Sequence, residues 1–257
     1  MSAPEVAELN LRYFDPTQSY TKNRINKGLI ESLMLKRAKC TVYSVQESDT
    51  LGKDSELAAT LARGKPVVAF VPQVDVGTRV NELMKQDRIE VLERLLHTVQ
   101  IEGAFRRSLD PEDSKLIQDF EKLAEDGRIW RAISDKNGAD DLNRRLNPKF
   151  RQICGILAGA EKRIYDNRAR TFKNSHPLAL QVNLDTGVAN GVLVVRTPAE
   201  CVALLRRVVT RSMEFEVVED DELWYLRERI SNCIFRVVTK DRKLSNCFWN
   251  FYNAGGR

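Results

Sequence analysis

The chain has 257 residues, of which 42% are hydrophobic and 30% are charged, and its formal net charge is +5. This composition can supply a hydrophobic core and excludes a disordered chain, and the length suits one large or two modest domains. No apolar run approaches the ~18 residues of a membrane span. The stretch Met1–Glu5 lacks the pattern of a secretory signal, so a cytoplasmic protein with no membrane partner is expected.

The first 71 residues alternate between strand and helix patterns. Leu9, Leu11 and Tyr13 alternate with polar residues, which predicts a short strand that ends at Phe14-Asp15-Pro16. The patterns that follow predict a helix over 20–37, a strand over 40–46, a helix over 55–63 that stops at Gly64, and a buried strand over 66–71. This order predicts an α/β fold with a Rossmann-like parallel sheet layer at the N-terminus.

The rest of the chain divides into a helical middle and a mixed C-terminal part. A helix is predicted to open at Asp110-Pro111-Glu112, and a helical tract covers 142–172 with an interruption at Pro148. After residue 176, short strands flank a helix that starts at the capping box Thr197-Pro198-Ala199-Glu200. The expected strands lie around 178–184, 191–196, 213–217 and 233–238.

Three segments are therefore predicted as domains. Residues 1–100 form the Rossmann-like nucleotide-binding layer, 101–175 a helical connecting region, and 176–257 a second small α/β unit. The five cysteines are odd in number and contain no close pair, and only two histidines are present. We therefore expect no zinc site and interpret the cysteines as small buried residues with free thiols.

The polar loop over 47–54 is the stretch most suggestive of chemistry. It follows the strand predicted over 40–46, at the sheet edge where open α/β sheets bind ligands. Glu56 is predicted in the first turn of the next helix, where the helix dipole favours an ionised carboxylate. Such a group can act as a nucleophile or stabilise a sugar cation at a glycosidic carbon. The alternative is that Glu56 only complements the helix dipole.

An acidic loop, a glutamate at a helix start and a small-residue helix that ends Gly64-Lys65-Pro66-Val67 resemble the nucleoside 2-deoxyribosyltransferase family and its relatives, the TIR-type NAD-cleaving domains. The resemblance covers only residues 9–72. It implies that Glu56 is catalytic and acts on the anomeric carbon of a nucleoside or of NAD. NAD would then be a substrate, and neither a cofactor nor a metal is implied.

The same resemblance suggests the substrate contacts. Asp15 and Asp49 correspond loosely to groups that contact the ribose or base, and Ser48 and Asp54 complete the predicted substrate-binding set. The family begins with an additional strand, for which this sequence has too few residues ahead of its first predicted strand. Three explanations stay open: a partner chain or a second copy of this chain supplies that strand, the fold is rearranged, or the site is inactive.

Other functions stay open at this point, and so does the question of whether the chain is an enzyme. One alternative is a non-catalytic nucleotide sensor or interaction module. Another is nucleic-acid binding through residues 144–173, which hold nine basic and two acidic residues. Asp185-Thr186-Gly187 is either an aspartic-protease tripeptide or, more simply, a turn. His176 is either a loop base or a structural histidine. No glycine-rich phosphate loop occurs.

Overall fold

The computed structural model describes residues 4–15, 23–46, 51–101, 103–107, 109–125, 127, 136–175, 181–183, 188–220 and 223–235. The chain divides into two units. The α/β unit contains Met1–Pro72 and Arg168–Arg257, and the helical unit contains Gln73–Asn167. The domain boundaries predicted above, 1–100, 101–175 and 176–257, stay a prediction.

The described elements alternate between helix and strand at both ends of the chain, and the middle is helical. The helices are α1 (Pro4–Ala7), α2 (Arg24–Arg37), α3 (Leu51–Ala62), α4 (Val76–Leu83), α5 (Arg88–Ile101), α6 (Gly103–Arg106), α7 (Pro111–Glu125), α8 (Lys136–Leu146), α9 (Phe150–Ser175) and α10 (Pro198–Thr210). The strands are β1 (Thr41–Ser44), β2 (Val67–Phe70), β3 (Gln181–Asn183), β4 (Val188–Asn190), β5 (Val192–Val195), β6 (Phe215–Asp220), β7 (Leu223–Glu228) and β8 (Ile234–Phe235).

A three-stranded parallel sheet organises the α/β unit. Its strand order is β1-β2-β5, and Val67 on β2 lies between Thr41 and Val192. Val67, Val68 and Ala69 are fully buried, as expected for a central strand covered on both faces. The α/β fold class is therefore confirmed, with a parallel N-terminal sheet, a long helical middle and a small antiparallel sheet near the C-terminus.

Helix α3 makes the crossover between β1 and β2. Leu57 and Leu61 are buried on its inner side, and its Thr60 hydroxyl lies 2.8 Å from that of Thr41. The predicted stop at Gly64 is confirmed, because Gly64 has φ 67° and its N–H donates to the Leu61 carbonyl. Only glycine adopts this left-handed conformation without steric cost.

The strand predicted over Leu9–Tyr13 is wrong. The N–H groups of Leu9 and Asn10 donate to carbonyls one turn back in α1, and Asn10 has φ 47°. Residues 11–15 have no regular structure, and Tyr13 is 72% exposed. An alternating pattern makes a strand only where a neighbouring strand accepts its hydrogen bonds. Strand β5, from far along the chain, forms the third strand of the sheet instead.

The C-terminal part follows its predictions more closely. Thr197 is the N-cap of α10, and its side chain and that of Glu200 form the reciprocal bonds of a capping box. Strands β6, β7 and β8 form an antiparallel sheet. The sequence did not predict β7. Of the strand predicted over 233–238, Ile234–Phe235 is confirmed, and residues 236–238 lie outside the described part of the chain.

The helical unit has its own hydrophobic core, in which α9 supplies the most deeply buried positions. Ile153 and Leu157 are fully buried there, beside side chains of α4, α5 and α7. The predicted break at Pro148 is confirmed as a 3₁₀ turn, Asn147–Lys149, between α8 and α9. Proline lacks the N–H that would continue the α-helical ladder. The predicted opening of α7 is confirmed too, with Asp110 accepting from the Asp113 N–H at 2.8 Å.

A buried carboxylate joins three helices of this unit. The Glu161 side chain on α9 is 2% exposed and accepts from Arg79 Nε on α4 at 2.7 Å. Its other oxygen lies 2.8 Å from Arg94 Nη2 on α5. The hydrogen bond to Glu161 raises the pKa of the Arg79 guanidinium above its ordinary value. A carboxylate buried this deeply needs such partners, because its desolvation cost is otherwise uncompensated.

We expect Glu161→Ala to lower the free energy of unfolding by about 2 kcal/mol or more, because both arginines lose their shared partner. The matched control is Glu82→Ala, since Glu82 also pairs with Arg79 at 2.7 Å but is 55% exposed. This control should cost less than about 1 kcal/mol. Urea unfolding followed by circular dichroism measures both. Equal losses of unfolding free energy in the two variants would show that the buried ion pairs of Glu161 stabilise the unit no more than the exposed pair of Glu82.

The described cysteines match the predicted interpretation as free thiols. Cys154 and Cys233 are buried, and Cys40 and Cys201 are half-buried. Burial raises the pKa of each of these thiols, and it raises that of Cys154 to about 11. A raised pKa leaves little thiolate near neutral pH, so these groups are poor nucleophiles.

Alkylation of Cys154 by iodoacetamide should therefore be slow in the folded chain. A shift from 9.0 to about 11 lowers the thiolate fraction at pH 8 about a hundredfold. Labelling should accelerate as the pH approaches the raised pKa, and at pH 8 it should become fast only in urea. Mass spectrometry of the labelled peptides gives the rates. Rapid labelling of Cys154 at pH 8 without urea would contradict the structure.

Candidate functional site

The three strands of the parallel sheet end side by side at its carboxyl edge. The Val45 N–H donates to the Phe70 carbonyl at 3.0 Å, and the Val71 N–H donates to the Val195 carbonyl at 2.9 Å. These bonds place the ends of β1, β2 and β5 side by side. Ligands of open α/β sheets usually bind in a crevice at the point where the strand order reverses. The described strands of this sheet have the order β1-β2-β5, which contains no such reversal. A ligand on this edge would contact the strand ends themselves.

Arg196 places a cation at this edge. It directly follows β5, and its Nη2 donates to the carbonyl of Pro72, just beyond β2, at 3.1 Å. Its backbone N–H donates to Glu200 Oε2 at 2.7 Å, which ties it to the capping box of α10. A guanidinium keeps its charge at any physiological pH and has a planar set of donors suited to phosphate and carboxylate. The edge can therefore attract an anionic group.

Glu56 does not occupy the predicted position in its helix. Helix α3 begins at Leu51, so Glu56 is the sixth residue and lies in the second turn. The predicted first-turn placement is wrong, because residues 51–54 are helical rather than part of the loop. The favourable field of a helix N-terminus falls off within the first turn. The dipole of α3 therefore favours an ionised carboxylate at Glu56 less than a first-turn position would.

The height of Glu56 along the sheet follows from its neighbours. Thr60, one turn later, accompanies Thr41 at the start of β1 and donates its hydroxyl to the Glu56 carbonyl at 2.8 Å. Four residues of helix span about 6 Å, or about two residues of strand. The Glu56 backbone is thus about level with Tyr43, about one strand residue from the end of β1. Glu56 is half-buried, and the residue has further interactions of its own.

The other predicted site residues are not brought together by anything the structure describes. Asp15 is half-buried in the irregular stretch after α1 and has interactions of its own. Asp54 belongs to α3, but its side chain is outside the described set. Ser48 and Asp49 lie outside the described residues altogether.

Arg196 was not predicted as a site residue, although a local signal was present. Arg196 stands between a β-branched run and a capping box, which is where a residue at the carboxyl end of a strand is expected. Its place beside Pro72 depends on the pairing of β5 with β2, and those segments are more than a hundred residues apart. No local pattern indicates such a pairing.

A second buried polar cluster lies around Glu228. Its Oε2 accepts from the Ser231 N–H at 2.6 Å and from the Ser231 hydroxyl at 2.7 Å, which holds the turn between β7 and β8. Its Oε1 faces Arg207 Nη1 at 4.0 Å. Beside it, the Cys233 thiol accepts from the Val194 N–H of β5 at 3.3 Å. This cluster therefore connects the antiparallel sheet to the edge of the parallel one.

The remaining candidates are less informative. The apolar side of the basic tract 144–173 enters the core, but none of its nine basic residues is buried, and six of them, including Arg144 and Lys149, are exposed. His97 is exposed on α5, while His176 and Asp185-Thr186-Gly187 lie outside the described residues. In the described part of the chain, no three His, Cys, Asp or Glu side chains are grouped to hold a metal ion. No helix in that part is both long and apolar enough to cross a bilayer.

Comparison with known proteins adds no relative. No protein-family model, no curated protein sequence and no solved structure matches the chain.

Proposed function

We propose that the α/β unit binds a nucleoside, a nucleotide or an NAD-like ligand at the carboxyl edge of its parallel sheet. The observation that carries this proposal is the position of Arg196, whose guanidinium spans from the end of β5 to the Pro72 carbonyl beyond β2. A fixed cation at the ends of parallel strands suits a phosphate-bearing ligand. The resemblance of residues 9–72 to nucleoside- and NAD-cleaving families favours the same ligand class.

Binding without cleavage is the form of this proposal that the geometry favours. Glu56 lies in the second turn of α3, so the helix dipole does not support it as the reacting carboxylate. The protein then acts as a nucleotide sensor or interaction module. Cleavage of an N-glycosidic bond through Glu56 is the alternative that an assay must test directly.

Titration calorimetry of the full chain with NAD, nucleosides and nucleotides tests the binding proposal. We expect Arg196→Met to weaken the affinity for the phosphate-bearing ligands by about tenfold to a hundredfold, because a charge-assisted hydrogen bond is lost. The matched control Arg229→Met removes a guanidinium from the exposed end of β7 and should leave affinity unchanged. Thermal melts establish that both variants are folded. No binding by the folded parent across the panel would refute the proposal.

Chromatography of the same mixtures tests cleavage separately. If the chain only binds, no free base accumulates with the parent or with Glu56→Gln, and both show the same affinity. Base release by the parent that disappears in Glu56→Gln, but persists in the control Glu219→Gln, would establish Glu56 as the catalytic carboxylate. Glu219 is an exposed residue of β6 in the same unit.

A further inference from the structure

An exposed apolar stripe runs along α2. Ile25, Leu29 and Leu33 are 81%, 60% and 49% exposed. Their spacing of four residues places them on one face of the helix, one above the other. Single exposed apolar side chains are ordinary on protein surfaces, whereas a contiguous apolar stripe marks a site of interaction.

The opposite face fixes α2 to the α/β unit. Ile30, Met34 and Leu35 are half-buried, and α2 contacts α3. At the end of the helix, Lys65 Nζ donates to the Leu35 carbonyl at 3.1 Å and to the Lys36 carbonyl at 2.7 Å. These bonds satisfy two carbonyls that a helix terminus otherwise leaves unpaired. The stripe therefore faces outward on a helix whose other side packs against α3 and whose C-terminal end is bound by Lys65.

The same segment is basic. Residues 11–39 contain seven lysines and arginines and two acidic residues, a balance of +5, which equals the net charge of the whole chain. The rest of the chain sums to zero, although it includes the tract 144–173 with nine basic and two acidic residues, which the variants below use as a control. Lys36, Arg37 and Lys39 are exposed at the C-terminal end of the stripe. A partner for this surface has to be anionic as well as able to accept apolar side chains.

We propose that the α2 surface, formed by the stripe and the basic residues that follow it, docks on the surface of an anionic lipid bilayer. Leucine and isoleucine side chains enter the boundary between headgroups and acyl chains, and the basic side chains contact anionic headgroups. A helix lying on a membrane needs no spanning segment. The inference thus departs from the expectation of no membrane partner, and it does not depend on nucleotide binding.

Two other occupants fit this surface less well. A partner protein that binds an amphipathic helix in a groove has to surround much of that helix. One side of α2 is not accessible to such a groove, because it packs against α3. A second copy of the chain would bring two segments of charge +5 together and would be repelled. A flat anionic surface contacts one face of a fixed helix and meets neither obstacle.

Co-sedimentation of the full chain with vesicles tests the proposal. The vesicles contain phosphatidylcholine alone, or phosphatidylcholine with about a third phosphatidylserine. We expect binding to the anionic vesicles, little binding to the neutral ones, and weaker binding as salt screens the charges. No binding of the folded parent to anionic vesicles, or equal binding to both kinds, would overturn the proposal.

Two pairs of variants test which surface is used. The double substitution Leu29→Ser with Leu33→Ser, and the double reversal Lys36→Glu with Arg37→Glu, should each lower the bound fraction by about tenfold or more. The matched controls are Val217→Ser with Met84→Ser, which removes exposed apolar residues elsewhere, and Arg144→Glu with Lys149→Glu, which makes the same charge change. The controls should bind as the parent does.

Folding and self-association are followed alongside. The substituted side chains face outward, so thermal melts should match the parent. If a double variant fails to fold, Ile25→Ser replaces the apolar one and Lys39→Glu replaces the charge reversal. An equal loss of vesicle binding in the controls would overturn the assignment to α2. So would self-association in sedimentation velocity that the α2 variants abolish, without any vesicle binding by the parent, because it would identify a second copy as the occupant.

Discussion

Strand β2 holds the α/β unit together, because both of its edges are hydrogen-bonded and both of its faces are buried. Its first neighbour, β1, comes from the same stretch of chain through α3. Its second neighbour, β5, follows the entire helical unit in sequence. The carboxyl edge with Arg196 and Pro72 exists only when this second pairing has formed. A sheet edge assembled in this way depends on non-local contacts, whose loop closure carries an entropic cost that burial of β2 offsets.

Features with a local cause could be predicted from the sequence. The stop at Gly64, the break at Pro148 and the capping box at Thr197 each depend on residues within one helical turn, and the structure has all three. The buried strand β2 could be predicted as well, because a short unbroken apolar run between turn residues is typical of a strand buried on both faces. The pairing of β5 with β2 and the position of Arg196 were not, because neither depends on nearby residues.

Three features of the structure differ from what the sequence pattern suggested. Leu9, Leu11 and Tyr13 alternate as a strand would, but alternation does not create a partner, and the segment stays irregular. Helix α3 starts at Leu51, four residues before the predicted start, which moves Glu56 into the second turn and out of the strongest field of the helix N-terminus. Glu161 was counted within a basic tract, although its place beside the buried positions of α9 carries it into the core.

The long separation between β2 and β5 has a consequence for synthesis of the protein. Pro72 and Arg196 are 124 positions apart, so at a translation rate of about 5–20 residues per second the ribosome needs roughly 6–25 seconds to add the missing strand. During that interval, β2 offers an unpaired edge rich in valine, of the kind that recruits strands from other chains. The helical unit lies wholly within the intervening segment and can complete its core first. The nascent chain would thus have a complete helical core while the parallel sheet still lacks β5, and the edge of β2 stays open to pairing with other chains until β5 is made.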